Sequence, residues 1–222
     1  MAGRKHIFSQ SLFNHFLIMH TYLIYLVCFL AGYLTGSILF SYIFTKIVTG
    51  KDIRTLGNNN AGAANTYKNA GLVWGILAGL LDGLKAYIPI LIGYYWLNLS
   101  AVSLGLIGIG AIIGHCRPVY FRFKGGRAAA TLMGMYLFFI PYEFIVSFVV
   151  VALIVYTIVK KDIFIWIPAG IVGLSAIASL FFNHPVEVKM IIWVSALIVL
   201  FFNRDYIPKV MSKLFPGKEI EI

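Results

Sequence analysis

A chain of 222 residues with 60% apolar and only 12% charged side chains, at a mean hydropathy of +0.89, is excluded from the ordinary soluble domains, where about a quarter of residues are charged. Its net charge of +10 would suggest nucleic acid in a soluble protein, but in a membrane protein it is read first as topology. The two cysteines, Cys28 in an apolar stretch and Cys116 in a basic one, fit neither a disulfide framework nor metal-ligand spacing.

A bilayer core about 30 Å thick needs about 20 helical residues per crossing. The pattern therefore predicts an all-α, polytopic integral membrane protein of about seven transmembrane helices, with a single membrane domain over residues 17–222. Residues 1–16 precede it as an extension, in which Phe8, Leu12 and Phe16 recur every four residues after Arg4 and Lys5. That spacing predicts a short interfacial helix. Leu17 to Phe44 is the first span, too long for a cleaved signal segment, and its Gly32 and Gly36 invite close approach by a neighbour. Lys51 to Ala70 is a long polar interruption rich in amides and small residues. Loops of that length without an apolar anchor usually carry a function.

Leu72 to Leu97 is the second span, with a small-residue stripe at Gly75, Gly79 and Gly83. Asp82 and Lys85 lie inside it on one helical face, where they pair with each other or support a site. Leu99 to Gly114 is the third span and brings His115 to the membrane boundary. Ala128 to Ile140 is too short for a full crossing unless it borrows from its loop, and Pro141 marks a turn. Tyr142 to Val159, Ile163 to Phe182 and Val186 to Phe202 follow as spans five to seven, the last carrying Lys189. A polar tail runs from Asn203 to Ile222.

Gly114 to Thr131 interrupts this greasy chain with Arg117, Arg122, Lys124, Arg127 and His115. Gly125 and Gly126 lead into the helix-forming run Ala128-Ala129-Ala130. Backbone N–H groups freed by two glycines and by a helix N-terminus can converge on a phosphate, with Lys124 and Arg127 supplying full charges. Cytoplasmic loops collect cations for topology alone, but topology requires neither the glycines nor His115. Of the 18 Lys and Arg residues, 14 fall in the loops after spans one, three and five and in the C-terminal tail. The positive-inside rule then places the N-terminus outside, the C-terminus in the cytoplasm and both polar loops on one cytoplasmic surface.

Other chemistry is absent from the sequence. There is no Gly-x-Ser-x-Gly elbow, no His followed by Asp at the fifth position, and no His-x-x-x-His, Cys-x-x-Cys or carboxylate cluster. A Ser-His-Asp enzyme is disfavoured, and no metal or cofactor is expected. Among possible acid or base residues His115 is the best candidate.

Three stretches resemble the PlsY-type family of bacterial integral-membrane acyltransferases. They are Gly36-Ser37-Ile38 with Asp52-x-Arg54-x-x-Gly57-x-x-Asn60-x-Gly62-Ala63-x-Asn65, then Gly114-His115-x-x-Pro118 through Phe123-Lys124-Gly125-Gly126 to Ala130-Thr131, and partially Asn203 to Lys209 with Gly217 and Glu219. Asp82, Lys85 and Pro89 add to the match, which runs from about residue 22 to the end. The resemblance implies transfer of an acyl group from acyl phosphate to glycerol 3-phosphate, giving lysophosphatidate and phosphate for phospholipid synthesis, at the cytoplasmic side of a bacterial inner membrane. It implies His115, Lys124 and Arg127 as catalytic. Arg54, Asn58, Asn60, Gly62, Asn65, Lys68, Gly125, Gly126, Thr131, Asn203 and Arg204 would hold the substrates. The implied partners are those two substrates and the bilayer, with no nucleic acid and no obligate protein partner. Departures from the family pattern fall at Asn58, Ala64, Lys68, Arg127, Ala128, Asn203 and Tyr206. They leave a catalytically impaired relative as one alternative, and the basic loops leave an organic-phosphate transporter as another.

Overall fold

The computed structural model describes residues 2–160 and 163–206, with side chains from 15–160 and 166–206. The described residues form helices without strands, in the order α1 (Ala2–Gly36), α2 (Phe40–Thr49), α3 (Ala63–Ala70), α4 (Leu72–Tyr95), α5 (Ala101–Cys116), α6 (Ala129–Phe139), α7 (Pro141–Ile154), α8 (Ile163–Phe181) and α9 (Val186–Asn203). Five described stretches are long and apolar enough to cross a membrane: His15–Thr49, Leu72–Tyr95, Ala101–Phe121, Pro141–Val159 and Val186–Asn203. The short fourth segment anticipated from sequence is α6, with 11 residues. Pro141, expected at a turn, is the first residue of α7, where its missing N–H costs nothing.

Two expectations change at the N-terminal end. Residues 2–16 continue without a break into the first span as α1. That span is then interrupted at Ser37–Leu39, where Leu39 is extended and α2 starts afresh. The Ile38 carbonyl, left outside the helical ladder at this break, accepts a hydrogen bond from Lys85 Nζ at 2.7 Å.

The glycines explain the packing. Gly32 lies against the backbone of Ile107 and Gly36 against Ala111, while Gly110 meets Phe29 and Tyr33 and Gly114 meets Tyr33 and Ser37. The residue numbers rise together, so α1 and α5 run parallel with their backbones in contact, as small residues at spacing four permit. Only the α1 half of that pairing was anticipated. On α4, Gly75 and Gly79 receive Tyr67 and Ala63 of α3, and Gly83 receives Ala130 and Gly134 of α6. One glycine stripe therefore docks the two helices that follow the two polar loops, which draws the loops together.

The core lies between α4, α5, α6 and α9, around Leu104, Ile107, Leu132, Met135, Tyr136 and Ile192. The Tyr136 hydroxyl satisfies itself on the Ile192 carbonyl at 3.0 Å. Leu23, Leu26, Leu80, Ile145 and Leu197 are each more than half exposed. An apolar girdle of this kind suits lipid rather than water. At the end remote from the polar loops, buried Glu143 is held by His184.

Candidate active site

Three regions distant in sequence meet at one end of the bundle. The first is residues 51–62, between α2 and α3. Asp52 caps a short helical turn over Ile53–Thr55, and Gly57 and Asn59 adopt positive φ of 55° and 56°. Asn65, 1% exposed, holds this loop in shape. Its Nδ2 donates to the carbonyls of Ile53, Leu56 and Asn60 at 3.1, 2.9 and 3.0 Å, and its Oδ1 accepts from Asn69. Asn58 Oδ1 accepts from the Asn60 N–H at 3.2 Å, an Asx turn. Gly62 is the extended N-cap of α3.

The second region is residues 117–128. Arg122, Phe123 and Ala128 take left-handed conformations at φ 56°, 58° and 57°, which wind the chain into the start of α6. Gly126 N–H donates to the His115 carbonyl at 3.0 Å. A Cβ on Gly125 would strike the His115 carbonyl, and one on Gly126 would strike the Ala61 carbonyl and His115 Nε2. The Gly-Gly pair thus lies directly on the end of α5 and on the first loop. The first-turn amides of α6, Ala129 to Thr131, have no acceptor within their helix. Thr131 is fully buried, and its Oγ1 meets no partner among the described residues.

Arg54 fastens the two loops. Its Nε and Nη2 bind Asp52, with a closest contact of 2.7 Å, and its Nη1 donates to the carbonyls of Phe121 and Lys124 at 2.9 and 3.2 Å. The guanidinium also lies over the Tyr42 ring, 5.2 Å from its centroid, and Tyr42 packs on Phe121. Tyr33 and Ser37 of α1 add a second fastening, from the Tyr33 hydroxyl to the Arg117 carbonyl and from the Val119 N–H to Ser37 Oγ.

Hydrogen bonding from Arg54 holds the Asp52 carboxyl below the usual carboxylate range. A depressed native pKa means the clamp contributes fully above the unfolded carboxylate value, about 3.9, and is lost as pH falls through the lower native value. Arg54→Met should raise amide hydrogen exchange over residues 119–126 by about one to two decades at neutral pH, the equivalent of one hydrogen bond to a charged group. Exchange unchanged from the native protein would show that the loops are joined by other contacts.

The third region is the end of α9. Asn203 Nδ2 donates to the Arg127 carbonyl at 3.2 Å, and the Arg127 guanidinium lies 3.3 Å from the centroid of the Tyr206 ring. Tyr206, a departure from the family pattern, thus holds Arg127 by a cation–π contact. Arg204 stacks on Phe201 and points largely into solvent. Lys209, Gly217 and Glu219 lie outside the described residues.

Beneath the loops sits a buried polar network. Lys85 and Asp82 pair at 2.9 Å with side chains 3% and 2% exposed, Asp82 Oδ2 accepts from Ser41 Oγ at 3.1 Å, and Lys85 Nζ lies 2.7 Å from His115 Nδ1. The spacing of Asp82 and Lys85 allowed their pairing as one of two readings, but nothing in the sequence joined them to Ser41, Ile38 or His115.

The candidate residues therefore divide. The polar atoms of Arg54 and Asn65 are taken up by protein, as is Nδ2 of Asn203, and all three residues shape the loops. Lys68 and Lys124 are exposed, and their ammonium groups meet no protein partner among the described residues. With Arg127 and the α6 amides, Lys124 leaves cations and N–H donors where the loops meet, while Lys68 lies in the last turn of α3. Among the described residues no group of three or more His, Cys, Asp or Glu side chains is placed to hold a metal.

A family model described as glycerol-3-phosphate acyltransferase matches residues 26–213. The glycerol-3-phosphate acyltransferase of Aquifex aeolicus (strain VF5) is 31% identical over 202 residues, covering 88% of this chain and 97% of that protein. That of Syntrophotalea carbinolica is 39% identical over 130 residues, covering 59% of this chain, and that of Mycoplasma capricolum is 36% identical over 181 residues, covering 78%. The chain spans 66% and 64% of the length of these last two, just under two thirds. The crystal structure of PlsY (YgiH), an integral membrane glycerol 3-phosphate acyltransferase, in its glycerol 3-phosphate form matches with a TM-score of 0.75 and 29% identity, over 85% of this chain and 92% of that one. Its lysophosphatidic acid form matches at 0.68 and 27% over the same shares.

Proposed function

Because the chain belongs to the glycerol-3-phosphate acyltransferase family, we propose that it transfers the acyl group of an acyl phosphate to glycerol 3-phosphate, giving 1-acylglycerol 3-phosphate and phosphate. The observation that carries this reading is the junction of the two loops, where Lys124, whose ammonium meets no protein partner among the described residues, adjoins the Gly-Gly pair that leads into the N-terminus of α6. Two phosphate-bearing substrates require such a concentration of cations and N–H donors. The excess of Lys and Arg on the loops of this face supports a cytoplasmic site in a multi-pass bacterial inner-membrane protein with its N-terminus outside.

The reaction needs little else from the protein. The glycerol hydroxyl oxygen bonds to the acyl carbon, the bond from that carbon to the phosphate oxygen breaks, and the hydroxyl proton passes to a phosphate oxygen. Acyl phosphate is a mixed anhydride with a good leaving group, so positioning and electrostatic stabilisation suffice. The nearby carboxylates are occupied, Asp52 by Arg54 and Asp82 by Lys85 and Ser41. Proton transfer to the substrate's own phosphate is consistent with that occupancy. Lys124, Gly125, Gly126 and Arg127 serve the phosphate and the developing oxyanion, and Asn58, Asn60, Gly62 and Lys68 line the glycerol 3-phosphate side.

Purified protein given palmitoyl phosphate and glycerol 3-phosphate should form lysophosphatidate and phosphate one for one. Binding of glycerol 3-phosphate without product would identify an impaired relative. Uptake of glycerol 3-phosphate into vesicles without chemistry would identify a transporter.

A further inference from the structure

The Lys85 ammonium has three N–H bonds, and the structure surrounds it with three acceptors: the Ile38 carbonyl at 2.7 Å, Asp82 Oδ1 at 2.9 Å and His115 Nδ1 at 2.7 Å. Each acceptor takes one donor. The lone pair of Nδ1 is then engaged, so the neutral imidazole carries its proton on Nε2. Asp82 does not compete for the ring, since its Oδ1 lies 3.7 Å from Nδ1, beyond hydrogen-bond range, and its other oxygen accepts from Ser41.

The opposite edge of the ring reaches the anion loop. His115 is 2% exposed, yet Nε2 abuts the α-carbon of Gly126, where a Cβ would collide with it. Among the described residues nothing hydrogen-bonds Nε2. A buried ring thus presents one unpaired N–H to the glycine pair.

We propose that Lys85 is a positioning residue, one that locks His115 in its Nε2–H form so that the imidazole donates to a phosphate oxygen at Gly125–Gly126 rather than acting as a base. This deepens the acyl-transfer reading and rests on it. Through the Ile38 carbonyl and through Asp82 to Ser41, the same ammonium also fixes the α1–α2 break under the loops.

The test uses full-length protein labelled with 15N-histidine, with the His115 signals assigned by their loss in His115→Gln. In the native protein Nδ1 should be of the unprotonated, pyridine type and Nε2 of the protonated, pyrrole type, and glycerol 3-phosphate should shift the Nε2 signal. Lys85→Met should abolish this pattern and lower kcat by about 10- to 100-fold, the effect of one hydrogen bond to a charged group, with KM for glycerol 3-phosphate changed much less. It should also introduce a base-dependent limb into the pH profile of kcat.

Lys85→Met leaves Asp82 buried and uncompensated, so Asp82→Asn/Lys85→Met removes both charges and should show the same changes in a folded protein. A native spectrum with the proton on Nδ1, or a folded double variant with native kcat and native His115 signals, overturns the proposal. The predicted tautomer with a phosphate-shifted Nε2 but no lysophosphatidate formation would support the lock and instead remove the acyl-transfer reading.

Discussion

Lys124→Ala is expected to lower lysophosphatidate formation by about 10²- to 10³-fold while the protein still inserts and folds. That magnitude is typical for removing one preorganised donor from developing negative charge. The Lys124 side chain is exposed and its ammonium contacts no protein group among the described residues, so its removal costs the fold little. Its backbone stays in place, because its carbonyl accepts from Arg54 and its N–H donates to Phe121. A purified variant with a native melting profile and native activity would mean that the phosphate lies elsewhere.

Gly126→Ala is expected to reduce activity by at least about 100-fold, for a geometric rather than an electrostatic reason. The added methyl would overlap the Ala61 carbonyl and His115 Nε2. Ala61 is packed at 0% exposure with Leu39 and Ile53, and the His115 ring is held by Lys85, so neither neighbour yields easily. The loops must separate instead, and displacement of a catalytic group by about 1 Å costs on the order of 100-fold. Gly173→Ala is the control, since nothing lies within 4 Å of a methyl at that position. Native turnover in Gly126→Ala would show that the loops can part without harm to the site.

Not every polar residue in the matching stretches leaves its polar atoms free of the protein's own backbone. Asn65 and Arg54 read from the sequence as residues for glycerol 3-phosphate and for the shape of the loop, and in the structure their donors hold backbone carbonyls. An amide or guanidinium in a polar loop has the same signature whether its donors point at a phosphate or at a carbonyl. Only the course of the loop decides. Tyr206, a departure from the family pattern, is the ring beneath Arg127.

By itself, the sequence determined what depends on composition and local period. Legible there were the helices, their near-exact bounds from α4 onward, the short α6, the glycine stripe on α4, the shared helical face of Asp82 and Lys85, and the two polar loops rich in small residues and cations. These follow from hydrophobic run length and from the 3.6-residue turn, both of which can be counted along the chain. The tertiary structure alone decided that α1 breaks at Ser37–Leu39, that Arg54 joins loops 67 and 70 residues apart, and that Lys85 reaches His115. Each depends on which backbones approach one another through space, and that distance has no counterpart in the linear order of residues.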